Sequence, residues 1–166
     1  DVPPCVHGAF PGWIVDADIM RGSFSDDRES VWHVGKNEGR GILVTGTRDW
    51  RDISLQARVK IHMAEKGGLL IRYQGLERYV ALVRTRESLQ LLRRWYGKDQ
   101  ILGEVACAWG LDELHELRLV GAGTRIQAYA DERLILEAHE STLLCGGAGF
   151  VFENGLMGFR EVAIRA

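Results

Sequence analysis

The 166-residue sequence predicts an all-β fold, a sandwich of two antiparallel sheets. Three observations predict it. Residues 52–63 alternate strictly between apolar and polar side chains, which a period-two strand turns into one apolar face and a helix would scatter around its cylinder. Turn signals follow one another at roughly 8–12-residue spacing, the rhythm of a sandwich or barrel. The 3 prolines stand at positions 3, 4 and 11, so none interrupts a sheet interior.

The elements follow in order. Short strands are expected at 13–16, 31–34 and 42–45, and the alternating run at 52–63 puts Ile53, Leu55, Ala57, Val59, Ile61 and Met63 toward a core. Further strands are expected at 69–74, 78–84, 89–95, 100–106, 115–120, 124–130, 134–138, 148–152 and 159–164. Lys66-Gly67-Gly68, Gln74-Gly75, Tyr96-Gly97-Lys98-Asp99, Gly121-Ala122-Gly123, Asp131-Glu132 and Glu153-Asn154-Gly155 punctuate them as turns. Only 112–117 is ambiguous with helix, and its neighbours favour strand. The length fits one domain spanning 1–166. The opening Asp1-Val2-Pro3-Pro4-Cys5 reads as a module of a longer protein.

Composition narrows the function. Hydrophobic residues make up 46% and charged residues 27%, ordinary for a packed globule. A formal net charge of -2 supplies no basic field for nucleic acid. No run approaches the roughly 18 apolar residues of a membrane span and no signal-peptide pattern opens the chain, so neither a nucleic-acid nor a membrane partner is expected, and the reading is cytoplasmic rather than secreted. Cys5, Cys107 and Cys145 lack metal-ligand spacing. They read as buried thiols, with a Cys107–Cys145 disulfide as the alternative.

No catalytic motif stands out: there is no G-x-S-x-G, H-E-x-x-H, P-loop or dinucleotide fingerprint. Asp16/Asp18, Asp26/Asp27 and Asp131/Glu132 sit at strand ends or turns and read as solvated carboxylates. Asp26, Asp27, Glu29 and Asp49 are the only candidates for a calcium site. His115 reads as a hydrogen-bonded histidine at the core edge. No catalytic residue is assigned, and no cofactor is expected.

The distinctive block is 67–95. With Leu69, Ile71 and Tyr73 facing the core, Leu70, Arg72 and Gln74 face outward, joined by Tyr79, Ala81 and Val83 and then by Gln90, Leu92 and Arg94. A sheet face carrying Arg, Gln and Tyr is a binding platform, since guanidinium forks and amides grip hydroxyls or carboxylates and an aromatic ring stacks. An ordinary wet sheet face would look similar. The candidate ligand-binding residues are Arg72, Gln74, Tyr79, Gln90, Arg94 and Glu153.

These residues also carry a resemblance. Gly68-Leu69-Leu70-Ile71-Arg72-Tyr73-Gln74, Arg78-Tyr79-Val80-Ala81-Leu82, Leu89-Gln90-Leu91, His115-Glu116-Leu117-Arg118, residues 125–131 and Gly147-Ala148-Gly149-Phe150 resemble the concanavalin A-like lectin/glucanase superfamily. Within it they are similar to laminin-G-like jelly rolls, which include carbohydrate-binding modules and 3-keto-disaccharide hydrolase domains. The resemblance implies a jelly roll and a sugar or sugar-containing ligand. Two departures stand out, Asp131-Glu132-Arg133 where an Asp-Gly turn is usual and Phe159-Arg160-Glu161 in place of Phe-Asp-Asp. The Glu-x-Asp-x-Glu signature of the glucanases is absent. Gly46-Thr47-Arg48-Asp49-Trp50, with Arg72, Gln74, Gly75, Arg78, Tyr79 and Glu153, further resembles accessory jelly rolls behind bacterial ADP-ribosylglycohydrolase-type domains. That implies a binding module beside a covalently linked catalytic domain, with a keto-sugar or glycoside hydrolase and a structural interaction domain as the other readings.

Overall fold

The computed structural model describes residues 12–24, 30–110 and 112–166, and among these there is no helix. Twelve strands follow in chain order: β1 (Trp13–Asp16), β2 (Ile19–Phe24), β3 (Ser30–Thr45), β4 (Ser54–Ile61), β5 (Lys66–Gly75), β6 (Arg78–Arg84), β7 (Ser88–Trp95), β8 (Lys98–Ala106), β9 (His115–Ala122), β10 (Arg125–Ala130), β11 (Arg133–His139) and β12 (Gly147–Arg165). Their pairings are antiparallel throughout.

Two long strands make the sandwich. β3 and β12 run side by side from Ala148↔Thr45 to Phe159↔Trp32. On its other flank β12 pairs first with β5 and then with β4. One layer is therefore β1-β3-β12-β5-β6-β7-β8, and the other is β2-β3-β12-β4-β9-β10-β11. The ribbon bends between them at a bulge separating Glu153 from Gly155. There Asn154 has φ 49° and Gly155 φ 150°, and the Asn154 side-chain oxygen accepts the Gly39 amide at 2.6 Å. A Cβ at Gly155 would lie 2.4 Å from the Met63 carbonyl oxygen, so the bend requires glycine. The expected strands at 31–34 and 42–45, and those at 148–152 and 159–164, are thus halves of continuous strands. The turn expected at 153–155 is this bend, and β2 was not anticipated.

The interlayer core is apolar and tightly filled. Leu55, Leu69, Ile71, Leu82, Leu91, Leu117, Leu119, Ile126, Phe150, Phe152 and Phe159 are fully buried in it, and the Phe150 and Phe159 rings stack at 4.2 Å. Each such side chain contributes about 1.5–3 kcal/mol. From Ile53 to Ile61 the alternation delivers its apolar face to this core. Met63 does not follow, because β4 ends at Ile61 and leaves Met63 79% exposed. Cys107 and Cys145 are free thiols, which removes the disulfide alternative; Cys5 lies outside the described residues.

The largest departure from alternation is in β5. Register shifts between Ile71 and Gly75, and Arg72 adopts φ 55°. The bulge reverses parity: Arg72 turns inward to complete burial, while Tyr73, expected in the core, packs on the opposite face. The Arg72 guanidinium donates to the Leu143 carbonyl at 2.9 Å and the Gly123 carbonyl at 2.5 Å, tying the 140–146 loop to the β9–β10 turn. Buried Glu140 orders that loop, accepting the Thr142 and Leu143 amides while Arg93 donates to it at 3.2 Å. Burial lowers the Arg72 pKa, with Asp52, 4.0 Å away, as the opposing charge.

Arg72→Ala is expected to cost about 3 kcal/mol, because it leaves two buried carbonyls without donors and opens a cavity. The urea-unfolding midpoint measures it; a midpoint unchanged from wild type would contradict the structural role.

Candidate functional site

The outer faces of the two layers differ in kind. On the β4-β9-β10 layer the outward row Gln56↔Arg118↔Tyr129 is polar and partly exposed, with the Arg118 guanidinium 4.0 Å above the Tyr129 ring. This is the wet face that antiparallel sheets usually present. On the other layer, Ile42, Val44, Leu70, Tyr79, Ala81, Val83, Leu92 and Val151 form a second apolar cluster, none more than 4% exposed, with Tyr73 packed beside it. Strand parity places it on the side away from the interlayer core: Ile42, Leu70 and Leu92 belong to it, whereas their neighbours Leu43, Leu69, Ile71 and Leu91 belong to the core.

Small residues shape this face. Gly68 stands between Val151 and Val83 in the cross-strand row, and a Cβ there would fall 2.0 Å from the Leu82 carbonyl oxygen. The sheet thus coils more tightly than side chains at that position would permit. The result is a small hollow of about 20 Å³, space for about one water, lined by Arg40, Lys66, Tyr79, Val83, Asp99 and Glu153.

Charged groups ring the apolar floor. From β3, Arg40 reaches across the face to the β5–β6 turn, donating to the Leu76 carbonyl at 3.1 Å and to Glu77 Oε1 at 2.8 Å. Its guanidinium carbon lies 5.8 Å from the centroid of the Tyr79 ring. Arg94 donates to Glu77 Oε2 through Nη2 at 2.9 Å and through Nε at 3.1 Å, and its Nη1 donates to Asp99 at 3.0 Å. Lys66 faces Glu153 at 3.8 Å, and Glu153 pairs with Arg40 in the β3–β12 register.

These contacts set the protonation states. Burial opposes ionisation of Glu77, but Arg94 and Arg40 outweigh it and hold the carboxyl below its ordinary range. For Arg94, burial pulls down and the Asp99 hydrogen bond prevails, raising its pKa. Burial pushes the Tyr79 hydroxyl up to about 12, so it remains a neutral donor and acceptor. Tyr73 is raised for the same reason, with Asp16 adding to burial.

The structure divides the residues expected to form the platform. Tyr79 and Glu153 line the hollow and Arg94 stands beside it, paired with the lining residue Asp99, although Tyr79 offers no open ring for stacking because Arg40 covers it. Gln90 shares the face at its far end, where its amide donates to Glu104 beside Ser88. Gln74 is drawn to the 140–146 loop, donating to the Cys145 carbonyl at 2.9 Å. Arg72 lies between the layers and not on the face, because the bulge inverts it. Arg40, Lys66, Glu77 and Asp99 were not anticipated. Two were within reach of simple register arguments: Arg40 shares parity with Ile42 and Val44, and a two-residue Tyr96-Gly97 turn sets Arg94 opposite Asp99.

Other sites considered from sequence fall elsewhere. His115 stacks on Trp109 at 3.8 Å and bonds Asp131 at 2.6 Å and Glu113 at 3.1 Å, joining loop to hairpin. Asp26, Asp27 and Glu29 lie outside the described residues; among those described, no three or more His, Cys, Asp or Glu side chains converge on a metal position.

No family model matches the sequence, and no curated protein matches it. Among solved structures, the carbohydrate-binding module CBM66 from Bacillus subtilis is similar over 93% of this chain and 96% of its own, with a TM-score of 0.76 at 15% identity. Galectin LEC-6 from Caenorhabditis elegans covers 73% of this chain and 87% of its own, with a TM-score of 0.58 at 10% identity. The polysaccharide lyase family 7 alginate lyase AlgAT5 covers 87% and 81%, with a TM-score of 0.63 at 15% identity. At these identities the likeness shows the fold, a jelly-roll sandwich of the concanavalin A-like kind.

The ion pairs make stability pH-dependent in a stated direction. Glu77 has a folded pKa below 4.5, so its contribution is complete above about pH 4.5, fades as pH falls through the folded value and vanishes below it. Comparing urea midpoints of the wild type and Glu77→Gln should show a difference at neutral pH that disappears in acid. A difference that grows in acid would contradict the assignment.

Proposed function

We propose that the chain is a non-catalytic carbohydrate-binding module and that the hollowed outer face of β3-β12-β5-β6-β7 is its sugar site. One observation carries this reading: an apolar floor containing Tyr79 lies beneath a ring of guanidinium, ammonium and carboxylate groups, on a sheet face that would otherwise be wet. A sugar has matching chemistry in its hydroxyls, for Arg40, Arg94, Asp99, Glu153 and the Tyr79 hydroxyl, and its C–H face meets the floor once the Arg40 side chain moves off the Tyr79 ring. The carbohydrate-binding module and galectin of like fold add support.

Binding is favoured over hydrolysis by the pairing of the rim carboxylates. A glycosidase needs one carboxylic acid kept protonated to serve the leaving oxygen, and here each carboxylate faces a cation: Glu77 faces Arg40 and Arg94, Asp99 faces Arg94, and Glu153 faces Lys66. Such a module would serve a catalytic domain elsewhere in a longer polypeptide, in the manner of the accessory domains its sequence resembles.

A glycan array followed by titration calorimetry tests the reading. Wild type should bind a glycan without releasing reducing sugar. Arg94→Ala should weaken that binding at least tenfold, since about 1.4 kcal/mol of charged hydrogen bonding is lost. Unchanged affinity in Arg94→Ala, or turnover by the wild type, would overturn it.

A further inference from the structure

We propose that the ligand of this face is an uncharged sugar, and that Glu77 is the residue that excludes acidic ones. The inference rests on the carbohydrate reading above and concerns the ligand's charge.

The charges match one for one: Arg40, Lys66, Asp99 and Glu153 line the hollow, and Glu77 and Arg94 stand beside it, tied to Arg40 and Asp99. Arg40, Lys66 and Arg94 supply three cations, and Glu77, Asp99 and Glu153 supply three anions, each partnered within the ring. Both guanidinium groups that a uronate carboxylate would seek already converge on Glu77, one at each of its oxygens, at 2.8 Å and 2.9 Å. This is the charge-assisted arrangement that arginines make with a carboxylate ligand, and here the protein supplies the carboxylate itself. A uronic acid must therefore displace Glu77 or lie beside it. Displacement costs the half-exposed Glu77 both of its cations, and coexistence sets two like charges together. A hydroxyl pays neither penalty. It accepts from an arginine N–H not engaged by Glu77, donates to a carboxylate oxygen with spare capacity, and meets the Tyr79 hydroxyl, for which no protein partner is found among the described residues.

The anchoring of Glu77 reinforces the assignment. It sits in the two-residue turn joining β5 to β6, and its Oε2 also packs on the neighbouring Tyr96-Gly97 turn, where a Cβ on Gly97 would come within 2.9 Å. Arg40 and Arg94 are each 17% exposed in their side chains, so their charge is largely committed to the ring and little of it is free to attract an anion.

The experiment pairs neutral and acidic versions of the same sugars. Gluco-, manno- and galacto-oligosaccharides and their uronate counterparts are titrated into wild type and Glu77→Gln, whose folding is confirmed by the unfolding midpoint. Wild type should bind its best neutral oligosaccharide at least about tenfold more tightly than the matching uronate. Glu77→Gln, which keeps the shape of the side chain and frees both arginines, should reduce that ratio to near unity or invert it. Wild type preferring the uronate, or a ratio unchanged in Glu77→Gln, overturns the inference while leaving the carbohydrate reading in place. Failure of wild type to bind any member of either series overturns the carbohydrate reading and this inference with it.

Discussion

Everything distinctive about this molecule depends on the bent ribbon of β3 and β12. Because both strands continue through the bulge at Glu153–Gly155, one pair of strands belongs to two layers, and the layers diverge where β12 exchanges β5 for β4 as its partner. The ladder breaks at the corner and resumes beyond it, and in the gap the Asn154 side chain accepts the Gly39 amide. The same bend sets Arg40 and Glu153 opposite each other at the start of the hollowed face. The device that closes the core also positions the rim of the site.

The rim answers a physical problem that the floor creates. Eight apolar side chains on an outer sheet face would be an association hazard if left bare. Arg40 lies over the Tyr79 ring while its charged head stays partly exposed. Leaving such heads unpaired over an apolar surface would be costly, and the carboxylates of Glu77, Asp99 and Glu153 compensate them. The hollow thus combines a dry base with a polar ring that is electrically neutral, an environment suited to a ligand that is amphipathic and uncharged.

Much of this was legible in the sequence, and the failures have identifiable causes. Period two places Leu70, Tyr79, Ala81, Val83, Leu92 and Arg94 on one face, because β6 and β7 pair without a bulge over that stretch. It fails at Arg72, where φ 55° inverts parity for a residue type that gives no warning of a positive φ. Glycine and asparagine at 37–41 and 153–155 look like turns in isolation, but here they bend strands, a distinction that only the neighbouring chain decides. Glu77 was invisible for another reason: a carboxylate in a hairpin turn is normally solvated, and its two cations arrive from residues 37 and 17 positions away. The polar character of the site could be read locally; its charge balance is a tertiary property.

Residue-resolved NMR during titration with a neutral oligosaccharide is the most direct test of where the ligand sits. Perturbed backbone and side-chain resonances should cluster at Arg40, Glu77, Tyr79, Arg94 and Asp99. Perturbations centred on the outer row of Gln56, Arg118 and Tyr129 on the opposite layer would contradict it.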